Sequence, residues 1–187
     1  MNETAMAIRL VPPHNPQSEI RNDMRICGID PGLQRTGYGV LDAEPARPPR
    51  LIEAGVIRTD PKAPLPDRLM EIERGLAAVF AEFAPHTVVI EQLYAHYAHP
   101  RTAILMGHAR GVIVLTAARA GARVASYGAT KIKKALVGSG HASKAQVQRA
   151  IQSVFRLAQP PEPADVADAL AVALCHAYQC ARTVLPR

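Results

Sequence analysis

Two short apolar runs in this chain each stop on a carboxylate. The strand expected over 25–29 runs into Asp30, and Val88-Val89-Ile90 runs into Glu91. Runs of this kind, bounded by turn formers, read as strands buried within a sheet. Buried strands need helices packed over them, which narrows the chain to a layered α/β arrangement. In an open α/β sheet the carboxyl ends of strands are where ligands bind. If the two strands are parallel neighbours, Asp30 and Glu91 converge at one edge of the sheet.

The remaining pattern supplies the layers. Strands are expected over 36–41 and 51–58, separated by the turn-forming EPARPPR, so the opening reads as a three-stranded meander. Residues 66–84 have helical period: Leu69, Ile72, Leu76, Val79 or Phe80, and Phe83 share one face. A strand at 87–90 follows. Residues 102–120 are apolar almost all round, which predicts a helix buried in the core or against a partner chain. Gly107 and Gly111 on it would let another helix approach closely. A strand is expected over 123–127. Ser143 and Gln146 have the spacing of a capping box and open a helix to about Leu157. The proline-rich segment 159–163 breaks it, and a last helix runs over 164–183. The order βββαβαβ followed by helices implies a mixed sheet with helices on its faces.

Charge is distributed unevenly. Residues 92–161 contain no Asp or Glu but ten cations: Arg101, Arg110, Arg119, Arg123, Lys131, Lys133, Lys134, Lys144, Arg149 and Arg156. The net charge is +6 overall, and residues 1–23 carry −1 of it, so the positive charge belongs to the folded part. A long basic surface attracts phosphates, and a polyanionic partner such as nucleic acid is favoured over mere solubility.

Acids return beside that surface. Asp165 and Asp168 are i and i+3 on the last helix, hence on one face, near an N-terminus that favours negative charge. The rest of that face is Ala, Leu and Val, so both acids are expected to turn inward with no Lys or Arg nearby. Such a pair needs another cation. Magnesium fits, as a hard ion bound by a few carboxylates, waters and substrate phosphates. A metal-dependent enzyme acting on nucleic acid is the expectation.

The motifs GIDPGLQRTGYGV at 28–40, VVIEQLY at 88–94, MGHARGV at 106–112, VGSGHASKAQVQ at 137–148 and ADVADALAVALCHA at 164–177 resemble the RuvC family of Holliday-junction resolvases. The likeness is ordered along the chain and covers about residues 24–178. It implies a ribonuclease-H-like fold: a five-stranded mixed sheet flanked by helices. It implies that Asp30, Glu91, Asp165 and Asp168 are both the catalytic and the metal-holding acids. Asp30 would touch two magnesium ions, Glu91 one of them, and Asp165 with Asp168 the other, with manganese as a substitute. Tyr94 matches an aromatic that contacts bases at the crossover, and Lys133 and Lys144 match DNA-binding lysines. Arg101, Lys131 and Lys134 join them as DNA contacts on charge alone. Departures from the family pattern are His108, Thr102 and a loop at 95–101 carrying His96 and His99, which are read as DNA contacts and not as a metal pair.

The implied activity is paired, symmetric nicking of four-way DNA junctions by a homodimer, leaving 5′-phosphate and 3′-hydroxyl ends, with the branch-migration proteins RuvA and RuvB as partners. Rival readings are a non-catalytic junction-binding protein and an ATP-binding relative of the actin and sugar-kinase fold. Intact acids argue against the first, and the second needs two such domains. Residues 1–23 read as a disordered leader, 24–180 as the nuclease domain and 181–187 as a short tail. Cys27, Cys175 and Cys180 form no metal-like pattern and are too few and odd for a disulfide framework. No apolar run approaches membrane-spanning length, and a cytoplasmic location is expected.

Overall fold

A computed structural model of the chain describes residues 8–9, 24–44, 47–92 and 100–184. In chain order its elements are β1 (Ile8–Arg9), β2 (Met24–Asp30), β3 (Arg35–Ala43), β4 (Arg50–Arg58), α1 (Leu65–Phe83), β5 (Thr87–Glu91), α2 (Pro100–Arg119), β6 (Arg123–Tyr127), α3 (Ala129–Val137), α4 (Lys144–Phe155) and α5 (Ala164–Val184). The strands form one sheet in the order β1-β4-β3-β2-β5-β6. The meander β2–β3–β4 is antiparallel, whereas β2–β5 and β5–β6 are parallel. The two-residue β1 adds to the outer edge of β4, with Ile8 opposite Ala54. The rest of 1–23, expected to be a leader, lies outside the described residues.

Alternation along the strands assigns the two faces. Ile26, Leu41 and Val89 point toward α3, α4 and α5, while Cys27, Ile29, Val88 and Ile90 point toward α1 and α2. Gly28 and Gly37 let α5 lie almost backbone to backbone on β2 and β3. A Cβ at Gly28 would come within 2.2 Å of the Ala169 carbonyl oxygen, and one at Gly37 within 2.1 Å of that of Asp165. The alanine-rich face of α5 is the matching half of that contact. Among the described residues, no helix is long and apolar enough to cross a membrane.

One element escaped the sequence pattern. Helix α3 is only nine residues long; Ile132 is its one fully buried residue, with Ala135, Leu136 and Val137 partly buried beside it, so its apolar stripe spans little more than one turn. Gly128 before it and Gly138 after it, the latter at φ 81° in a left-handed cap, are its signals.

Candidate active site

Parallel pairing sets Ile29 opposite Ile90, so the next residues, Asp30 and Glu91, leave the sheet side by side. Asp30 also pairs across the meander with Gly37, which touches the backbone of Asp165. The first turn of α5 is thereby seated over the strand ends. Asp30, Glu91, Asp165 and Asp168 line one cavity of about 550 Å³.

Asp30 and Glu91 are both held above the ordinary carboxylate range. Burial, followed by the charges of Asp168, Glu91 and Asp165, pushes the Asp30 carboxyl up to about 7, with Lys144 opposing. Glu91 is also raised, by burial and by Asp168, against the pull of Lys144 and Lys133. Such crowding is what a divalent cation relieves, and an all-oxygen donor set suits a hard ion such as magnesium. Among the described residues no three candidate ligands are already gathered around a metal position.

Cations face two of the acids, which corrects one expectation. Asp165 and Asp168 do not turn inward away from Lys and Arg. Arg35 Nε lies 3.2 Å from Asp165 Oδ2, and Lys144 Nζ lies 3.4 Å from Asp168 Oδ2. The reason is positional: the first turn of α5 meets the open strand ends and not the closed core, so its acids sit at the rim.

The flank opposite β3 comes from α3 and α4, which contribute Lys133 and Lys144. The capping box forms as expected. Gln146 N–H donates to Ser143 Oγ at 3.3 Å, and Ser143 N–H donates to Gln146 Oε1 at 2.8 Å. It fixes Lys144 on the first turn of α4, where the helix dipole disfavours a cation, so Lys144 depends on a facing anion. Arg110, from α2, donates to the Glu91 carbonyl oxygen at 2.9 Å and to Ser126 Oγ at 2.8 Å, tying α2 to the strand that carries Glu91.

Other expected contacts lie elsewhere. Lys131 sits 4.8 Å from the centre of the Tyr127 ring, and Lys134 is exposed on α3 outside the cavity lining. Arg101 is exposed at the start of α2, away from the cavity. Tyr94, His96 and His99 lie outside the described residues. Arg35 is the charged cavity residue that sequence reasoning missed; its signal was its place three residues after Gly32, on the far side of the turn from Asp30. Cys27 and Cys175 are buried in the core, and all three cysteines are free.

The family model described as crossover junction endodeoxyribonuclease RuvC matches residues 26–176. This chain belongs to the RuvC family. The RuvC of Rhodopirellula baltica is 53% identical over 155 residues, covering 82% of this chain and 85% of that protein. The RuvC of Salinispora arenicola is 46% identical over 156 residues, covering 83% and 89% respectively. The structure of T. thermophilus RuvC in complex with Holliday junction substrate matches with a TM-score of 0.81 at 34% identity, over 86% of this chain and 96% of that one. The mixed sheet flanked by helices is thus the ribonuclease-H-like fold of the RuvC resolvases. The yeast mitochondrial Holliday junction resolvase Ydc2 shares that fold at 14% identity, with a TM-score of 0.64 over 89% of this chain and 83% of its own.

Proposed function

We propose that this RuvC-family chain hydrolyses one phosphodiester in each of two opposed strands of a four-way DNA junction, and that Asp30, Glu91, Asp165 and Asp168 are its catalytic acids. The observation that carries the reading is the convergence of these carboxylates on one cavity with Lys133 and Lys144 beside them. Carboxylates alone would repel a DNA strand. Lysines beside them hold its phosphates, while the acids hold divalent cations. Asp30, between Glu91 on the neighbouring strand and Asp165 on α5, is the acid that two ions would share; Glu91 would help hold one, and Asp165 with Asp168 the other. Magnesium is the expected ion, with manganese as a substitute. Ions bound there lower the pKa of the attacking water and neutralise charge on the leaving 3′ oxygen. The protein's own part is to orient the acids from two strand ends and the first turn of α5 and to grip the strand by its phosphates. The ends produced are a 5′ phosphate and a 3′ hydroxyl.

Two opposed nicks need two sites, and closed two-fold symmetry supplies them from one chain. Helix α2 carries a solvent-facing stripe with Ile104 62% and Leu115 50% exposed, and nothing within 4 Å of the Cβ positions at Gly107 and Gly111. A second copy packed on that stripe would make the homodimer. RuvA and RuvB are the partners that the family reading supplies, and the DNA substrate puts the working compartment in the cytoplasm.

Incubating the chain with a synthetic four-way junction, with and without magnesium, tests the proposal. Paired nicks that DNA ligase can seal, formed only with the metal, are expected. Junction binding without cleavage under any divalent cation would favour a non-catalytic binding protein.

A further inference from the structure

We propose that Arg35 is a phosphate-contacting residue of the active site, held on Asp165 in the metal-free protein and released to the DNA backbone when that carboxylate takes up metal. The inference rests on the metal-dependent reading above and adds to it a residue and an exchange of partners.

The local fold aims Arg35 at the acids. Asp30 and Arg35 bracket a tight turn in which a Cβ at Gly32 would come within 2.0 Å of the Arg35 carbonyl oxygen. Thr36 Oγ1 donates to the Gly32 carbonyl at 2.7 Å, fixing the turn. Arg35 therefore enters β3 at a set distance from Asp30, and its side chain lines the same cavity as Asp30, Glu91, Lys133 and Lys144. The lysines come from α3 and α4, whereas Arg35 comes from the sheet. A phosphate in the cavity meets cations from two directions.

The pair with Asp165 is poorly suited to a structural role. The Arg35 side chain is 53% exposed, and ion pairs that open to water contribute little to stability. Nor does α5 need the pair to stay in place, because Gly37 and Gly28 already fix it by backbone contact. What the pair does is occupy Asp165 Oδ2, an oxygen that a divalent ion needs. Binding of that ion and retention of Arg35 are in competition. Once displaced, the guanidinium remains at the cavity mouth with its planar fork of donors free, and phosphate is the anion that fork matches.

Arg35→Gln separates this arrangement from a structural ion pair, with the full-length chain used throughout. Manganese titrated calorimetrically into the DNA-free protein should bind several-fold more tightly to the variant, since the competing cation is gone. Junction binding in calcium, with intact DNA verified on the same samples, should show a slope of log affinity against log salt that is shallower by about 0.9. Single-turnover cleavage at saturating magnesium should slow at least tenfold, and Arg35→Lys should recover part of that loss. Unchanged or weaker manganese binding, or an unchanged salt slope, overturns the proposal. Wild-type cleavage of the junction is scored in the same experiment, so failure of the resolvase reading is visible separately, and the manganese comparison decides the Arg35–Asp165 exchange in either case.

Discussion

Ile29 of β2 lies directly opposite Ile90 of β5 in parallel register, and this one pairing delivers two acids to one place. A slip of one residue would turn one acid to the other face of the sheet, because side chains alternate with period two. The register is protected by what precedes it. Cys27, Ile29, Val88 and Ile90 fill the face beneath α1 and α2, and any slip would expose them. The convergence of these two carboxylates is a by-product of core packing.

That geometry has a cost in stability, which predicts how Asp30 responds to pH. Its carboxyl is raised from 3.8 to about 7, first by burial and then by the neighbouring acids. The folded state therefore takes up a proton more readily than the unfolded chain. Stability linked to Asp30 is present in full below about 3.8 and is lost as pH rises through about 7. The loss is on the order of 4 kcal/mol at pH 8 without metal. Asp30→Asn should raise the melting temperature in chelator at pH 8, and the gain should shrink as the pH falls toward 4. Junction cleavage should drop by orders of magnitude while junction binding persists. A folded variant that cleaves normally would falsify the assigned active site.

Asp42 should show the opposite sign. It is 5% exposed, with Arg25 Nε 2.7 Å from Oδ1 and Arg50 3.0 Å from Oδ2. Burial alone would raise its carboxyl, but hydrogen bonds and charge from Arg25 and Arg50 outweigh burial and hold it below the ordinary range. Its stabilising effect is present above the unfolded carboxyl's titration range and is lost as pH falls through the lowered folded value. Asp42→Ala should destabilise the fold by about 3–5 kcal/mol, since Arg25 would be left half-buried without its partner. Urea melts at neutral pH measure this, and cleavage by the folded fraction should be unaffected. A loss under about 1 kcal/mol would show that Arg25 finds water instead.

Much of this was legible in the chain because the informative signals are local. Strands ending in Asp30 and Glu91 announced themselves by composition, and Ser143 with Gln146 announced the start of α4. Helix α3 did not, since its stripe of Ile132, Ala135 and Leu136 is little more than one turn long and sits among Lys131, Lys133 and Lys134. Arg35 was missed for a different reason. Its role depends on how closely α5 lies on β3, and that distance is set by Gly37 meeting the Asp165 backbone, a contact with no sequence period. The same contact explains why Asp165 and Asp168 meet cations where an apolar interior was expected.

The lysines of α3 and α4 should divide by position. Lys133 and Lys144 line the cavity, whereas Lys134 lies outside it. Replacing Lys133 and Lys144 by alanine should slow cleavage even at saturating junction and reduce the salt slope, by up to about 0.9 for each phosphate no longer neutralised. Lys134→Ala should alter the slope at most and leave the saturated rate alone. Equal effects on the saturated rate at all three positions would mean that the scissile phosphate does not enter this cavity.

The exposed stripe of α2 gives the last expectation. Gly107 and Gly111 meet nothing within 4 Å in the single chain, so larger residues there do not clash within the subunit. In an exposed helix they should even favour folding, by about 0.5–1 kcal/mol for alanine in place of glycine. A second copy packed on the same stripe reverses the sign, because close helix approach tolerates only small side chains. Sedimentation of the wild-type chain at micromolar concentration should give twice its 20.1 kDa mass. Gly111→Leu should shift the protein toward monomer with its helix content intact, and nicks in the two strands of a junction should become uncoupled in time. A Gly111→Leu protein that remains dimeric and still nicks in pairs would move the two-fold contact off α2.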